Sequence, residues 1–337
     1  NDVVAAYLTS SAGMISGVFA LSYADNRLSI KTENTKVSLP AYSSTAFNYS
    51  GTTILVLPDA IIREGTGKLS VDTFVFEYKN LSYNPHEGIF FNFTAQTPLT
   101  SQKIIPLPNA LTGFLYAEGQ YKKKIPSGVL QIKNFSFKES ALSLDADTLA
   151  MAFEGSMLFV KKQRVRLNKK WPIENLSLRL GATSSTLSVE NLSMVLARGT
   201  INATYILNRQ TKVQNLKLSA SHIKAQDLSA LFSLKTTVFG NVTAAGQLSF
   251  AGFNAESIGK SLSGNLSLQI GRGKIKDSFF QKGIFTGPLY KLEQKFSDIE
   301  FASGTADVLF SQGNIHARKV FFDAEEWNVK LRAEANR

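Results

Sequence analysis

Cysteine is missing from this 337-residue chain, which excludes a disulfide framework and any thiolate metal site. A total lack of thiols suits proteins of the bacterial envelope, where a stray cysteine mispairs, although many cytosolic chains also carry few. Histidine is nearly as scarce. His86, His222 and His316 stand far apart, none belongs to a spaced His/Glu metal motif, and each reads as a single polar residue near a loop or strand end. No run approaches the ~20 apolar residues that a membrane-spanning helix needs. The opening Asn1-Asp2-Val3-Val4 lacks the basic-then-apolar layout of a secretory leader. Two expectations follow: a cytosolic chain, or a leader or anchor lying outside this sequence.

Catalytic signatures are equally thin. There is no Walker A loop, and Gly271-Arg272-Gly273 lacks the third glycine and following helix of a dinucleotide fingerprint, so it reads as a tight turn. Gly13-Met14-Ile15-Ser16-Gly17 has the wrong spacing for a nucleophile elbow. Carboxylates approach one another at Asp145/Asp147 and Glu325/Glu326, but the first pair follows Leu142 and Leu144 into what reads as a solvated strand end. The oxygen-rich calcium-loop spacing is absent there too. The reading is therefore a non-enzymatic protein with no catalytic residues, no metal and no cofactor.

What is abundant is positive charge and alternation. Lys and Arg number 37 against 26 Asp and Glu, a net charge of +11, which favours anionic surfaces such as phosphate-bearing lipids. Lys122-Lys123-Lys124 sits in an expected turn, and Lys161, Lys162, Arg164, Arg166, Lys169 and Lys170 gather just before Trp171-Pro172. The second cluster reads as a solvated hairpin tip or as a membrane-facing patch beside an interfacial Trp. Nucleic acid is disfavoured as a partner, because no recognition helix, zinc-finger spacing or RNP-like strand lies nearby.

Apolar and polar residues alternate along nearly the whole chain, most clearly in Leu262-Ser263-Gly264-Asn265-Leu266-Ser267-Leu268-Gln269-Ile270-Gly271. A side-chain period of two marks a strand with one apolar and one wet face. The pattern recurs as Phe74/Phe76/Tyr78, Leu176/Leu178/Leu180, Leu192/Met194/Leu196, Leu216/Leu218/Ala220, Leu248/Phe250 and Val308/Phe310. The expected fold is mainly β: a long curled antiparallel sheet of repeated hairpins forming a groove, with a few short helices in the C-terminal half. Those helices are expected around Asp227 as an N-cap with Leu228, Leu231 and Phe232 on one face, over residues 256–262, and over residues 289–296. Such a sheet must hide its apolar surface in a packed core or offer it as a trough for an apolar ligand.

Asn-apolar-polar triplets at Asn80, Asn134, Asn175, Asn191, Asn215 and Asn265 read as points where a turn ends and a strand begins, since Asn tolerates the left-handed backbone of a turn. Several also fit the N-x-Ser/Thr sequon. Residues 97–108 carry Pro98, Pro106 and Pro108, which excludes a central strand there and sets the expected boundary between an N-terminal β region (1–110) and a β-groove region (111–337), the second expected to continue the sheet of the first. Strands are expected to shorten after Gly113.

The C-terminal third resembles the AsmA family of Gram-negative envelope proteins, relatives of TamB-type bridge-like lipid carriers. The resemblance rests on ordered segments: Leu216-Lys217-Leu218-Ser219-Ala220, then Asp227-Leu228-Ser229-Ala230-Leu231-Phe232, then Gly240-Asn241-Val242-Thr243-Ala244-Ala245-Gly246-Gln247-Leu248. Leu262 to Ile275 and Phe301 to Ile315 complete the order, so the resemblance spans roughly residues 200–335. Gly271-Arg272-Gly273-Lys274 stands where an acidic residue before the glycine is common, and the N-terminal membrane helix typical of the family is not in this sequence.

The resemblance implies a periplasmic domain tethered to the inner membrane by an N-terminal helix, binding or transferring phospholipid or another amphiphile toward the outer membrane. It implies a role in outer-membrane lipid homeostasis and assembly, with envelope proteins as partners. The groove candidates are Leu176, Leu178, Leu180, Leu216, Leu218, Leu248, Phe250, Leu266, Leu268, Ile270, Val308 and Phe310, with the six basic residues from Lys161 to Lys170 facing an anionic surface. Two other readings stay open: an assembly factor that pairs partner strands along its sheet edge, and a carbohydrate-binding or adhesive surface protein.

Overall fold

The computed structural model describes residues 2–10, 13–38, 46–57, 61–99, 111–139, 142–231, 237–252, 255–276, 298–312, 314–324 and 327–335. Two compact units divide the chain. The first (Asn1–Leu158 with Val165–Lys169) holds β1 (Asp2–Ser10), β2 (Gly13–Ala24), β3 (Arg27–Ser38), β4 (Phe47–Val56), β5 (Ile61–Val71), β6 (Phe74–Asn84), β7 (Gly88–Pro98), β8 (Leu111–Lys122), β9 (Ile125–Glu139) and β10 (Leu142–Glu154). β11 (Met157–Leu167) contributes residues to both units.

The second unit (Phe159–Arg164 with Lys170–Arg337) continues with β12 (Trp171–Ala182), β13 (Thr186–Leu196), β14 (Gly199–Asn208), β15 (Val213–Lys224), α1 (Ala225–Leu231), β16 (Thr237–Phe239), β17 (Asn241–Ala251) and α2 (Ala255–Ser261). It ends with β18 (Ser263–Ile270), β19 (Gly273–Lys276), β20 (Asp298–Phe301), β21 (Ser303–Ser311), β22 (Asn314–Ala324) and β23 (Trp327–Ala335). By hydrogen bonding, 20 strands belong to one antiparallel sheet, and β16, β19 and β20 form a separate three-stranded one. Neighbours in sequence pair as hairpins. The exceptions are β15 with β17 and β18 with β21, where α1 and the small sheet are inserted between partners, and β16 with β19 within that small sheet.

Several hairpins close through two consecutive residues with positive φ: Asp25-Asn26, Lys123-Lys124, Asn168-Lys169 and Ala197-Arg198. That is the turn whose twist matches a right-handed ribbon. Lys and Ala carry a penalty of roughly 1–2 kcal/mol in this conformation; the long ladders on either side hold it in place. In place of the expected tight turn at Gly271-Arg272-Gly273 there is a bend at Arg272 between β18 and β19, and the Gly271 N–H extends the β17–β18 ladder by bonding the Asn241 carbonyl at 2.9 Å.

The Asn triplets behave differently from expectation. Asn80, Asn134, Asn175 and Asn191 have φ of 51 to 56° but sit inside β6, β9, β12 and β13, where the pairing slips: between Lys79 and Ser82, between Glu174 and Ser177, and between Val189 and Leu192. These are β-bulges, not strand starts. The left-handed tolerance of Asn that marks a turn also accommodates the extra residue of a bulge, which bends the strand locally and increases its twist. Asn215 and Asn265 lie within β15 and β18.

Other expectations shift as well. Strands do not shorten after Gly113: β9 has 15 residues and β10 has 13. Thr97 and Pro98 belong to β7, with Thr97 fully buried and Pro98 opposite Phe114 at the strand end; residues 100–110 lie outside the described residues. Asp227 is in the first turn of α1, two residues past its start at Ala225. There its charge still meets the positive helix end. The expected helix over 256–262 is α2, and residues 289–296, like Phe232, lie outside the described residues.

If Asn191 is the bulge residue that its φ of 53° indicates, a β-branched side chain there should be strained. Asn191→Val is expected to lower stability by about 1–2 kcal/mol and Asn191→Gly to leave it nearly unchanged, which thermal melting of the two variants measures.

Candidate functional site

Residues directly opposed in an antiparallel pair point to the same face, so the register writes the face out. In the second unit one row runs Leu180, Val189, Tyr205, Leu216, Leu248, Gly264, Phe310. The next reads Leu192, Ala203, Leu218, Gly246, Leu266, Val308, Ala317. A third is Met194, Ile201, Ala220, Ala244, Leu268, Ala306, and a fourth Ile223, Val242, Ile270, Gly304. Leu176 and Leu178 precede Leu180 at alternate positions of β12, and Phe250 stands opposite Gln214.

Large and small side chains alternate along these rows. A Cβ placed on Gly246 would lie 3.0 Å from Leu266 Cδ1, so the leucine covers the space its neighbour leaves open. The opposite face is polar: Lys217, Ser219, Gln247, Asn265, Ser267, Gln269 and Asp307 are exposed, and Ser267 Oγ donates to Asp307 Oδ1 at 2.8 Å.

All of the expected groove residues, from Leu176 to Phe310, are half-buried. That observation discriminates. A second sheet or helix layer laid on this face would bury its side chains as the inner faces of a sandwich are buried. Here neighbouring strands cover the flanks of each leucine, and the tops remain accessible.

A polar chain interrupts the face at one end. Tyr205 Oη donates to Gln214 Oε1 at 2.7 Å, and Gln214 Nε2 donates to the carbonyl of Gly252, a glycine with φ of 83° just ahead of α2. Gln214 is 5% exposed, so its amide needs both bonds. Burial pushes the Tyr205 hydroxyl above its ordinary acidity range. Ser261 of α2 fastens the same corner, bonding both the N–H and the carbonyl of Ala251 at 2.8 and 3.2 Å.

The basic candidates are all exposed but unequal. In the second unit Arg164 reaches Glu174 at 3.9 Å, and Lys170 lies 5.4 Å from the centre of the Trp171 ring. Lys161 and Lys162 are solvated on β11, with the Lys162 N–H bonded to Ser177 Oγ at 3.0 Å. In the first unit Arg166 pairs with Asp147 at 2.8 Å, and Lys169 forms part of the Asn168-Lys169 turn. The expected hairpin tip is thus only partly a tip, because Lys161, Lys162, Arg164 and Arg166 stand along a strand. Asp145 accepts from Ser136 Oγ at 2.7 Å, and among the described residues no group of His, Asp or Glu is arranged to hold a metal ion.

Residues 131–320 match the AsmA family. The chain belongs to the AsmA family. The match begins within β9 and ends within β22, so the AsmA region contains the four rows of the second unit and starts well before the resemblance visible near residue 200. No curated protein matches the chain, and no solved structure does. Among the described residues no helix is long and apolar enough to cross a membrane.

Sequence reading missed the polar chain Tyr205–Gln214–Gly252 and the small residues Gly246 and Gly264. Alternation hides the first, because Gln214 occupies an apolar position. Tyr205→Phe strips the buried Gln214 Oε1 of its donor and should lower stability by about 1–3 kcal/mol. Since the folded state holds the Tyr205 proton more tightly than the unfolded chain, the contribution of Tyr205 to stability should be constant below about pH 10 and fall above it. The variant should show a shallower fall, as urea titrations at pH 8 to 11 would record.

Proposed function

We propose that this AsmA-family chain binds and transfers amphiphiles, holding acyl tails against the apolar rows of its sheet, in the periplasm and tethered to the inner membrane. The single observation that carries the reading is the half-buried, in-register apolar face from Leu180 to Phe310. A tail that hides half the surface of ten methylenes gains about 4 kcal/mol. Two tails then amount to about 8 kcal/mol, near a micromolar dissociation constant before ordering costs. Such a hold is firm enough to extract a lipid and loose enough to let it move. No acid, base or metal is needed for this task, and the exposed basic residues around Trp171 are suited to meeting lipid phosphates.

Membership of the AsmA family supports phospholipid as the amphiphile and the outer membrane as its destination, with envelope proteins as partners. Protein purified without detergent should carry phospholipid that solvent extraction and native mass spectrometry detect. Leu266→Asp should weaken uptake of a fluorescent phospholipid at least tenfold while leaving circular dichroism unchanged, since its side chain has a route to water. Gln269→Asp, on the polar face three residues away, should leave uptake intact. Absence of both extracted lipid and uptake in the wild-type protein would defeat the proposal, and so would equal uptake by all three proteins.

A further inference from the structure

The first unit builds its apolar face differently, from glycines and aromatic rings. Its register places Thr32, Gly51, Gly67, Tyr78, Phe93, Gly119, Gly128 and Phe153 in one row. Phe93 and Phe153 stand three strands apart, about 14 Å at the usual strand spacing, yet their ring centres are 6.2 Å from each other. They close that distance across Gly119 and Gly128, which are so tightly apposed that a Cβ on Gly128 would lie 2.1 Å from the Glu118 carbonyl oxygen. Phe91 joins the paving, stacked on Tyr121 at 5.1 Å.

The same device recurs over Gly51 and Gly67, with one chemical difference. Tyr78 covers Gly67, whose added Cβ would meet the ring at 2.5 Å, and the Tyr49 hydroxyl lies equally close to the Cβ position of Gly51. The two hydroxyls meet at 2.5 Å. Both tyrosines are half-buried, and burial together with the Tyr49 bond makes Tyr78 harder to ionise than ordinary tyrosine. The charged residues of these strands alternate onto the other face, where Lys31 pairs with Glu33 and Lys68 with Glu77.

Two phenols carry two protons; the bond between them uses one, and Thr53 donates to Tyr78 and so uses none. We propose that the Tyr49–Tyr78 pair is a docking point for the ester carbonyl of an acyl lipid, set within an otherwise apolar track. The proposal rests on the amphiphile-binding reading above and adds a feature that the second unit's aliphatic rows lack. A neutral hydroxyl pair suits a carbonyl at the junction of tail and head group. A phosphate there would bring its charge onto a face whose ring carbons cannot solvate it.

The test compares an ester-linked dipalmitoyl phosphatidylglycerol, its ether-linked dihexadecyl analogue and diphenylhexatriene, with Leu266→Asp as background to silence the second unit. The Tyr49→Phe/Tyr78→Phe double variant removes both hydroxyls together; Thr53, which also bonds Tyr78, loses that partner but is only half-buried, so folding should be little affected. It should bind the ester lipid about tenfold more weakly and the other two probes within about twofold of the parent. Equal losses for ester and ether lipids would overturn the carbonyl assignment, and an unchanged ester affinity would overturn the docking point. Failure of wild-type protein to bind any of the three probes would instead overturn the amphiphile reading itself.

Discussion

Strand register is the constraint on which this structure depends. Alternation alone gives each strand one apolar face; only hydrogen-bonded pairing brings Leu180, Leu216, Leu248 and Phe310 into one row and Leu218, Leu266 and Val308 into the next. A slip of one residue in any pair would send that strand's leucines to the polar side. Among the described residues no second layer covers these rows, and their side chains stop at half burial. That is an unusual condition for so many consecutive leucines in a stable fold, and it is the condition an amphiphile would relieve.

Backbone strain and glycine space act together to shape the face. Left-handed residues close the hairpins at Lys123-Lys124 and Ala197-Arg198 and insert bulges at Asn80, Asn175 and Asn191, so the sheet tolerates αL residues without relying on glycine. Glycine takes some of the left-handed turn positions, as at Gly88 and Gly155, and elsewhere serves close approach. Gly67 yields its side-chain space to the Tyr78 ring of the next strand and Gly51 to Tyr49 of its own strand, while Gly119 and Gly128 let two backbones approach each other, as large residues shield glycine in other sheets. The two units therefore reach a similar apolar surface by different packing: aliphatic rows in the second, aromatic spans in the first.

Much of the fold was legible beforehand because period two needs no tertiary information. The strand containing Leu266, Leu268 and Ile270 could be read directly, as could those of Leu216 and Leu248, and the AsmA resemblance followed from their order. Positions that serve two physical purposes were misread. Asn175 and Asn191 looked like turn residues because turns and bulges both require a left-handed backbone. Gln214 gave no signal, because a polar residue at an apolar position of the alternation does not announce that it is buried with its amide bonded to Tyr205 and Gly252. The spacing of Lys161, Lys162, Arg164 and Arg166 said that charge was concentrated, not that Arg166 would spend its own on Asp147.

The amino-acid sequence by itself determined that this is a β-protein with one apolar face per strand, without thiols and with an excess of positive charge, since each of these follows from residue type and local spacing. Only the tertiary structure decided which apolar residues stand side by side, that they remain partly open to solvent, and that Tyr49 and Tyr78 meet over paired glycines from strands 29 residues apart. Those facts depend on contacts between distant segments, and a period of two is silent about which strand lies next to which.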